Sequence, residues 1–319
     1  MLQNNFTMIT EVHLLGFNNL YPHNILLFIL FFIIYCLTTS WNFLLIVLVA
    51  TIRNLHSPMY MFLTQLSLSD IIMTNSISPI LLRVLVDRQT IITFTGCLAQ
   101  YYFFSASLGL DTMLLTVMSY DRYLAICNPL RYNAIMNYLF CLKLIISSWL
   151  VSFSAIIKYV VSISNLNFCG SNVIDHFFCD LTPLLALSCS DTYVVQIEVT
   201  SITIPSVFPF LFIIVSYCYI VFTILRIPTV TGRQKAFSTC SSHLTVVSIY
   251  FVTLLCTYMV PTRGKSSTSS KILSLLYTVM IPLINPLIYS FRNTDIQEAF
   301  QKTFIKLAAC IDITLACKT

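Results

Sequence analysis

Charged residues divide the chain into long apolar stretches, and their spacing predicts how often the chain crosses a membrane. Ile25–Ile52 contains no Asp, Glu, Lys or Arg, while Met59–Leu82 and Cys97–Tyr120 contain one such residue each. A membrane-spanning helix needs roughly 20 mostly apolar residues, so each stretch is long enough. Four further stretches complete the pattern: Leu144–Ile157, Val199–Leu225, Ala236–Thr262 and Ile272–Phe291. The pattern predicts an all-α membrane protein, a bundle of seven transmembrane helices.

The fourth stretch, Leu144–Ile157, is the least secure of the seven because it is short. Lys143 and Lys158 flank it. Both side chains are long enough to extend toward opposite membrane interfaces, which would make a full span of this stretch.

Composition excludes a soluble domain. Apolar residues make up 57% of the chain and charged residues 9%, with a mean hydropathy of +0.85. An ordinary soluble domain has about 25% charged residues, so this chain lacks the charge to cover a globule of its size. The net charge of +5 is small and scattered, and no nucleic-acid partner is expected.

The basic residues indicate the orientation. An external N-terminus places eleven of the 17 Lys and Arg on the cytoplasmic side, as membrane proteins prefer. We therefore expect an extracellular tail at 1–24, a seven-transmembrane domain at 25–292 and a cytoplasmic tail at 293–319. No cleavable signal peptide is visible, and the first helix is expected to act as its own insertion signal. The sequon Asn5-Phe6-Thr7 lies in the external tail, where glycosylation is expected.

Four of the twelve cysteines fall outside under this topology: Cys97, Cys169, Cys179 and Cys189. An even number in an oxidising compartment favours two disulfides, and spacing alone leaves all three pairings open. Cys310 and Cys317 in the tail are candidate palmitoylation sites, although free thiols are favoured there.

Two carboxylates, Asp70 and Asp111, lie within predicted spans, where an ionisable group costs a few kcal/mol. They form either a buried polar pair or a cation site that stabilises one conformation. Arg122, at the inner end of the third helix, is either an interfacial anchor or one half of a breakable ion pair with Asp121. Prolines within the spans, including Pro282 and Pro286, predict bends about which helices can move.

Several long motifs, in order along almost the whole chain, resemble the odorant receptors among the rhodopsin-like G-protein-coupled receptors. They are Pro58-Met59-Tyr60 with LSLSD ending at Asp70, MSYDRYLAICNPLRY from Met118 to Tyr132, the loop Phe168 to Thr192, Ser216-Tyr217, KAFSTCSSH from Lys235 to His243, and PLINPLIYSFRN from Pro282 to Asn293.

The resemblance implies roles for individual residues. It pairs Cys97 with Cys179 and Cys169 with Cys189, and it makes Asp70 with Asp111 a candidate sodium site, with no other cofactor. The implied switch and G-protein-coupling residues are Asp121, Arg122, Tyr123, Tyr217, Asn285, Pro286 and Tyr289. Tyr217 is expected to meet Arg122 in the active state.

The resemblance also implies a function. A small volatile odorant, neutral and largely apolar, would bind within the bundle and activate a heterotrimeric stimulatory G protein of the olfactory type, raising cyclic AMP. The receptor would be a multi-pass protein of the plasma membrane. The candidate ligand-binding residues are Phe104, Ser105, Leu108, Gly109, Ser206, Leu255, Tyr258, Tyr277 and Thr278.

Some positions depart from the family pattern. Trp41 stands where Gly is usual before Asn42, and Val252 replaces another usual Gly. Both are expected to alter the shape of the ligand pocket, and Trp41 is a candidate cause of poor surface expression.

The sequence argues against two other classes of function. A transporter or channel would show an internal repeat or a charged path through the membrane, and neither is visible. An intramembrane enzyme needs a nucleophile with a base, or metal ligands. His243 is the only histidine at a helix end and is interpreted as an ordinary polar residue, so no enzyme is expected.

Overall fold

A computed structural model describes residues 9–17, 23–87, 89–168, 172–259, 268–293 and 296–303. Asn5, Cys169, Cys310 and Cys317 lie outside the described residues. The helical backbone is described at Ser206 and Tyr258, but their side chains lie outside the described part.

Long helices make up most of the chain. They are α1 (Asn24–Thr51), α2 (Pro58–Asp87), α3 (Phe94–Cys127), α5 (Tyr138–Ser164), α7 (Tyr193–Leu225) and α8 (Val230–Met259). The last bundle helix is built from α9 (Thr268–Leu275), a π-helical turn (Leu276–Met280) and α10 (Ile281–Arg292). Short helices α4 (Pro129–Ile135) and α6 (Leu181–Leu185) lie in connections, a 3-10 turn spans Arg53–Leu55, and residues 296–303 are helical.

Local sequence explains where some of these helices begin. Thr93 caps α3, its hydroxyl accepting a hydrogen bond from the Gly96 amide at 3.1 Å. Asn137 caps α5 in the same way by accepting from the Phe140 amide at 3.0 Å. Each cap satisfies a backbone donor that the first helical turn leaves without a partner.

Six of the described helices are long and apolar enough to cross a membrane. The fourth predicted stretch is among them, because α5 extends beyond both Lys143 and Lys158. In α8 the apolar segment Cys240–Cys256 is bounded on both sides by residues whose side chains lie outside the described part. Since the apolar part of α5 is more hydrophobic than those of α2 and α3, the expectation that the fourth stretch is the least secure is wrong.

The helices pack around α3, which contacts α2, α5, α7 and α8. Large apolar side chains nevertheless remain exposed on the outer helix faces, among them Ile25, Leu150 and Phe208. An apolar surface of this extent requires lipid around it, because water would not solvate it.

A three-stranded sheet closes one end of the bundle. Strand β1 (Glu11–Leu14) lies between β2 (Thr90–Thr93) and β3 (Val173–Ile174), antiparallel to the first and parallel to the second. The sheet thus joins the N-terminal segment to the start of α3 and to the connection between α5 and α7. We call this the sheet end, and the end with α4 and helix 296–303 the opposite end.

Trp41 fills space between α1, α10 and helix 296–303. Its indole nitrogen donates to the Ser290 hydroxyl at 3.2 Å, and its ring lies 6.1 Å from the Phe291 ring and 5.5 Å from the Phe300 ring. The large side chain at this position is accommodated by aromatic neighbours and by a hydrogen bond. It therefore contributes packing between three elements.

Replacing Trp41 with glycine, the residue that the resemblance leads one to expect there, should consequently destabilise this bundle. We expect Trp41→Gly to lower the stability of the folded bundle by about 2 kcal/mol, through lost packing and the poor helix propensity of glycine. Trp41→Phe keeps a ring but loses the N–H donor, and we expect a loss of about 1 kcal/mol. Thermal inactivation of purified protein and surface labelling of cells measure both. Improved surface labelling of Trp41→Gly would show that Trp41 is a packing defect.

Candidate ligand and switch sites

An aromatic cluster lies beneath the sheet and includes two of the predicted ligand residues. The ring of Phe104 on α3 lies 5.2 Å from that of Phe178 and 5.7 Å from that of Tyr277, measured between centroids. All three side chains are buried. The Tyr277 hydroxyl donates to the Ser274 hydroxyl at 3.3 Å, so the cluster carries polar groups at one edge. Phe178, in the connection between α5 and α7, is a member that sequence reasoning did not single out.

Two other predicted residues lie close to this cluster along the chain. Thr278 follows Tyr277, is fully buried, and donates to the Ser274 carbonyl at 2.7 Å. Ser105 follows Phe104 and is half-buried.

Three predicted ligand residues have different surroundings. The Leu108 carbonyl accepts a hydrogen bond from the Tyr250 hydroxyl of α8 at 2.7 Å, so this turn of α3 contacts α8. A Cβ on Gly109 would lie 3.6 Å from Ser152, which places Gly109 at the packing interface with α5. Leu255 is 45% exposed and lines an open groove between α7 and α8. The structure therefore does not bring Gly109 or Leu255 to the Phe104 cluster.

A buried lysine, Lys271, links three segments of the chain at the sheet end. Lys271 Nζ donates to the Gly16 carbonyl at 2.6 Å and to Asp175 Oδ1 at 2.5 Å, while its side chain is only 8% exposed. These contacts join α9 to the N-terminal segment and to the connection that carries β3. The sequence shows Lys271 as an ordinary flanking charge, because its two partners are distant along the chain.

His176 lies next to this ion pair and packs on the aromatic cluster. Its ring centroid is 4.7 Å from those of Phe177 and Phe178, and Phe177 stacks on Phe17 at 5.4 Å. Burial and the nearby charge of Lys271 lower the pKa of His176 to about 3. The imidazole is therefore neutral at physiological pH.

The Cys97–Cys179 disulfide links α3 to the loop that carries His176 and Phe178. Gln100 supports the linkage, since its side-chain oxygen accepts from the Cys179 amide at 2.9 Å and its nitrogen donates to the Ser76 carbonyl at 2.9 Å. Cys189 is also disulfide-bonded. Its pairing with Cys169 stays a prediction, because Cys169 lies outside the described residues.

Buried polar groups cross the middle of the bundle. Asn285 of α10 donates to both carboxylate oxygens of Asp70, at 3.3 and 3.2 Å. Both oxygens of Asp111 are buried with no hydrogen-bond partner among the described residues, and the same holds for the hydroxyls of Ser107 and Thr74. Asp70 and Thr74 are four residues apart on α2, as are Ser107 and Asp111 on α3, so each pair shares a helix face.

At the opposite end, Asp121 has two partners. It accepts hydrogen bonds from Arg122, one of them from Nε at 2.9 Å, and it accepts another from the Tyr132 hydroxyl at 2.8 Å. Burial and the nearby carboxylate of Asp121 raise the pKa of Tyr132, so its hydroxyl keeps the proton that it donates. The predicted ion pair is present, and Tyr132 of α4 is a third member that the sequence did not indicate.

Tyr217 on α7 contacts His243 on α8 through a hydrogen bond between its hydroxyl and Nδ1. Both side chains are buried, and Arg122 is close enough to interact with both electrostatically. The structure thus gives His243 a direct role in holding two helices together, where the sequence indicated only an ordinary polar residue. The predicted contact of Tyr217 with Arg122 in an active state stays a prediction.

The remaining predicted switch residues lie nearby. The ring of Tyr123 lies 6.2 Å from that of Tyr219 on α7. Pro286 lies inside α10, and the buried hydroxyl of Tyr289 has no hydrogen-bond partner among the described residues. A buried hydroxyl of this kind is available to a new partner when helices rearrange.

Comparison with solved structures identifies the class of fold. The chain is similar to squid rhodopsin, with a TM-score of 0.66 at 19% identity, over 88% of this chain and 85% of that one. The bundle therefore has the fold of the rhodopsin-like G-protein-coupled receptors.

Comparison of sequences identifies the family. A family model described as olfactory receptor matches residues 30–307. The chain is 44% identical to olfactory receptor 11L1 of Homo sapiens, over 93% of each chain. It is 39% identical to olfactory receptor 1468 of Rattus norvegicus, over 96% of this chain and 98% of that one. The chain belongs to the olfactory receptor family. It is a multi-pass receptor of the plasma membrane and not an enzyme, as the sequence predicts.

The neutral, buried His176 predicts a loss of stability in acid. Its folded-state pKa of about 3 lies below the unfolded value of about 6.5, so stability is complete above pH 6.5 and falls as the unfolded chain takes up the proton. At pH 5.5 the loss should be about 1.4 kcal/mol. Thermal unfolding at pH 7.5 and 5.5 should therefore show a smaller pH effect in His176→Gln than in the wild type. His56→Gln, at an exposed histidine, is the control, and an unchanged pH effect in His176→Gln would contradict the assignment.

The Asp121 contacts predict opposite effects of two substitutions. Asp121→Asn frees Arg122 and should raise signalling without agonist, whereas Arg122→Ala removes the group that the family resemblance assigns to the active state and should lower it. Tyr132→Phe removes one hydrogen bond, worth about 1 kcal/mol, and should raise the basal active fraction by about fivefold. The measurement is basal and odorant-stimulated second messenger, normalised to surface label.

Tyr138→Phe is the matched control for Tyr132→Phe, since Tyr138 is an exposed tyrosine at the same end. If Asp121→Asn and Arg122→Ala are both silent while displayed at the surface, the ion pair is structural only.

Proposed function

We propose that this receptor crosses the membrane seven times with its sheet end outside, binds a small neutral odorant beneath the sheet, and activates a stimulatory G protein of the olfactory type. The observation that carries the proposal is the placement of α3. It contributes Phe104 to a buried aromatic cluster near one end and the Asp121–Arg122 pair to the other.

The proposed orientation is supported by chemistry at the sheet end. Disulfides form in oxidising compartments, and Cys97–Cys179 lies at this end. The seventh span would be α8, whose 30 residues make a helix of about 45 Å, longer than the roughly 30 Å hydrocarbon core of a bilayer. The Asn5 sequon would then be external.

The surroundings of Phe104 favour a neutral and largely apolar ligand. Phe178 and Tyr277 supply aromatic surface, and the hydroxyls of Ser274 and Tyr277 supply hydrogen-bonding groups at its edge. The charge of Lys271 is already paired with Asp175, so it does not select an anionic ligand. Odorants with one hydroxyl or carbonyl group fit this combination.

Activation follows from differential affinity for two states. An odorant that binds better when α8 has moved outward would favour separation of Tyr217 from His243. Arg122 would then leave Asp121 and turn toward Tyr217, opening the opposite end to a G protein. The electrostatic interaction of Arg122 with Tyr217 and His243 supports this step.

Reporter assays in cells test the proposal. An odorant panel is applied to cells that co-express the olfactory stimulatory Gα subunit, with Arg122→Ala as the control that is displayed but not coupled. We expect neutral odorants to raise cyclic AMP. A calcium rise without cyclic AMP, or an inhibition of forskolin-raised cyclic AMP, would contradict the choice of G protein.

We also propose that Asp70 and Asp111 hold a sodium ion. The residues present fit one: a hard cation prefers oxygen ligands, and both Asp111 oxygens with the hydroxyls of Ser107 and Thr74 are buried without partners among the described residues. The ion would balance the carboxylate charge and stabilise the state in which α2 and α3 are close.

Sodium should therefore raise thermal stability, by an amount that grows with its concentration. We expect the unfolding midpoint of the wild type to be higher in NaCl than in choline chloride of equal ionic strength, and Asp111→Asn to lose this difference. Asp87→Asn, at an exposed carboxylate of α2, is the matched control. Equal midpoints of the wild type in both salts would contradict the site.

A further inference from the structure

An open groove of about 610 Å³ runs between α7 and α8. Its walls are almost entirely apolar, and the exceptions are Tyr217 and Ser248. Many lining side chains are exposed, including Phe222 at 55%, Leu225 at 59% and Val252 at 58%. In a membrane-spanning bundle, exposed apolar walls of this kind are in contact with lipid.

The groove is elongated along α7. On α7 its lining extends from Phe210 to Leu225, a rise of about 22 Å along the helix. The hydrocarbon core of a bilayer is about 30 Å thick, so the groove is longer than one leaflet is deep. This shape suits a linear hydrocarbon chain better than a compact ligand.

Two arginines lie where the groove ends at α7. Arg226 follows Leu225 directly, and its guanidinium carbon is 4.1 Å from the centroid of the Phe222 ring, which lines the groove. Arg233 lies in the first turn of α8, and its Nη2 donates to the Ile227 carbonyl, just after α7, at 3.4 Å. Its Nε is buried without a hydrogen-bond partner among the described residues. Among the described residues, neither Arg226 nor Arg233 has an acidic side chain as an ion-pair partner.

We propose that this groove binds an anionic phospholipid, with one acyl chain between α7 and α8 and the phosphate group beside Arg226 and Arg233. The apolar walls suit the acyl chain. The two arginines have no acidic partners among the described residues and suit the headgroup, because a guanidinium binds phosphate with charge-assisted hydrogen bonds. The inference rests on the membrane-spanning arrangement of the proposed function, and it needs neither an odorant nor a G protein.

The position of the groove gives the bound lipid a consequence. Tyr217 lines the groove and also contacts His243 across the two helices. An acyl chain bound in the groove therefore lies next to the contact that joins α7 to α8.

Lipid binding to purified receptor in detergent tests the proposal. Native mass spectrometry compares phosphatidylserine with phosphatidylcholine of identical acyl chains. We expect phosphatidylserine to bind more tightly, and the double variant Arg226→Gln/Arg233→Gln to lose about 25-fold in its affinity, roughly fivefold per arginine. Lys302→Gln removes an exposed positive charge at the same end and should leave that affinity unchanged.

A substitution that fills the groove tests the contribution of the acyl chain separately from that of the headgroup. Ser248→Phe adds a ring at an exposed lining position, and we expect weaker binding of both lipids. Ser154→Phe makes the same change at an exposed serine of α5 and should have no effect. Equal binding of the two lipids by the wild type, or unchanged binding by Ser248→Phe, would show non-specific contact with lipid only and overturn the proposal.

Native cysteines supply a second readout that does not depend on a variant's folding. Cys218 is a free, exposed cysteine in the groove, and Cys36 is a free, exposed cysteine on α1. We expect phosphatidylserine to slow the reaction of Cys218, but not of Cys36, with a membrane-soluble maleimide. Equal slowing of both would contradict the site. Since neither measurement uses signalling, a receptor that fails to raise cyclic AMP can still pass or fail this test.

Discussion

A buried charge in a lipid-facing bundle is costly without a partner, and the partners of three buried charges organise the receptor from one end to the other. Breaking a buried ion pair by removing one partner costs about 3–5 kcal/mol. Lys271 meets Asp175 at the sheet end, Asp70 meets Asn285 in the middle, and Arg122 meets Asp121 at the opposite end. The first two contacts join distant parts of the chain, which a rearrangement of the bundle would separate. The Arg122–Asp121 pair joins adjacent residues, so Arg122 can exchange Asp121 for a new partner. That difference is why Arg122 suits a switch.

Helix α3 connects these levels. From Phe104 to Asp121 it rises about 25 Å, so one continuous helix extends from the aromatic cluster to the ion pair. The disulfide at Cys97 fixes the end of α3 nearest the sheet to the loop that carries Phe178. A ligand at the proposed site beneath the sheet would therefore contact a helix whose far end carries the Asp121–Arg122 pair. The coupling itself depends on α8, which contacts α3 through Tyr250 and α7 through His243.

The sequence predicts the helices well because a chain in lipid must satisfy its own backbone hydrogen bonds, and apolar runs of sufficient length reveal where it does so. It does not predict the sheet, whose strands have two to four residues and pair across distant parts of the chain. The Asp121–Arg122 pair was predictable since its members are adjacent. The contacts of Tyr217 with His243 and of Lys271 with Asp175 were not, because they depend on how separate elements are rotated and placed. Trp41 shows the same limit: the family pattern indicates a misfit, while the structure supplies the neighbours that accommodate it.

The central claim is that Asp121 restrains Arg122 and thereby keeps α8 close to the bundle. Spin labels at Leu139 on α5 and Phe237 on α8, both exposed at the opposite end, measure this directly by double electron–electron resonance. The account predicts a single short distance in the wild type, and an added population at longer distance in Asp121→Asn without any odorant. Identical distance distributions in the two proteins would contradict it.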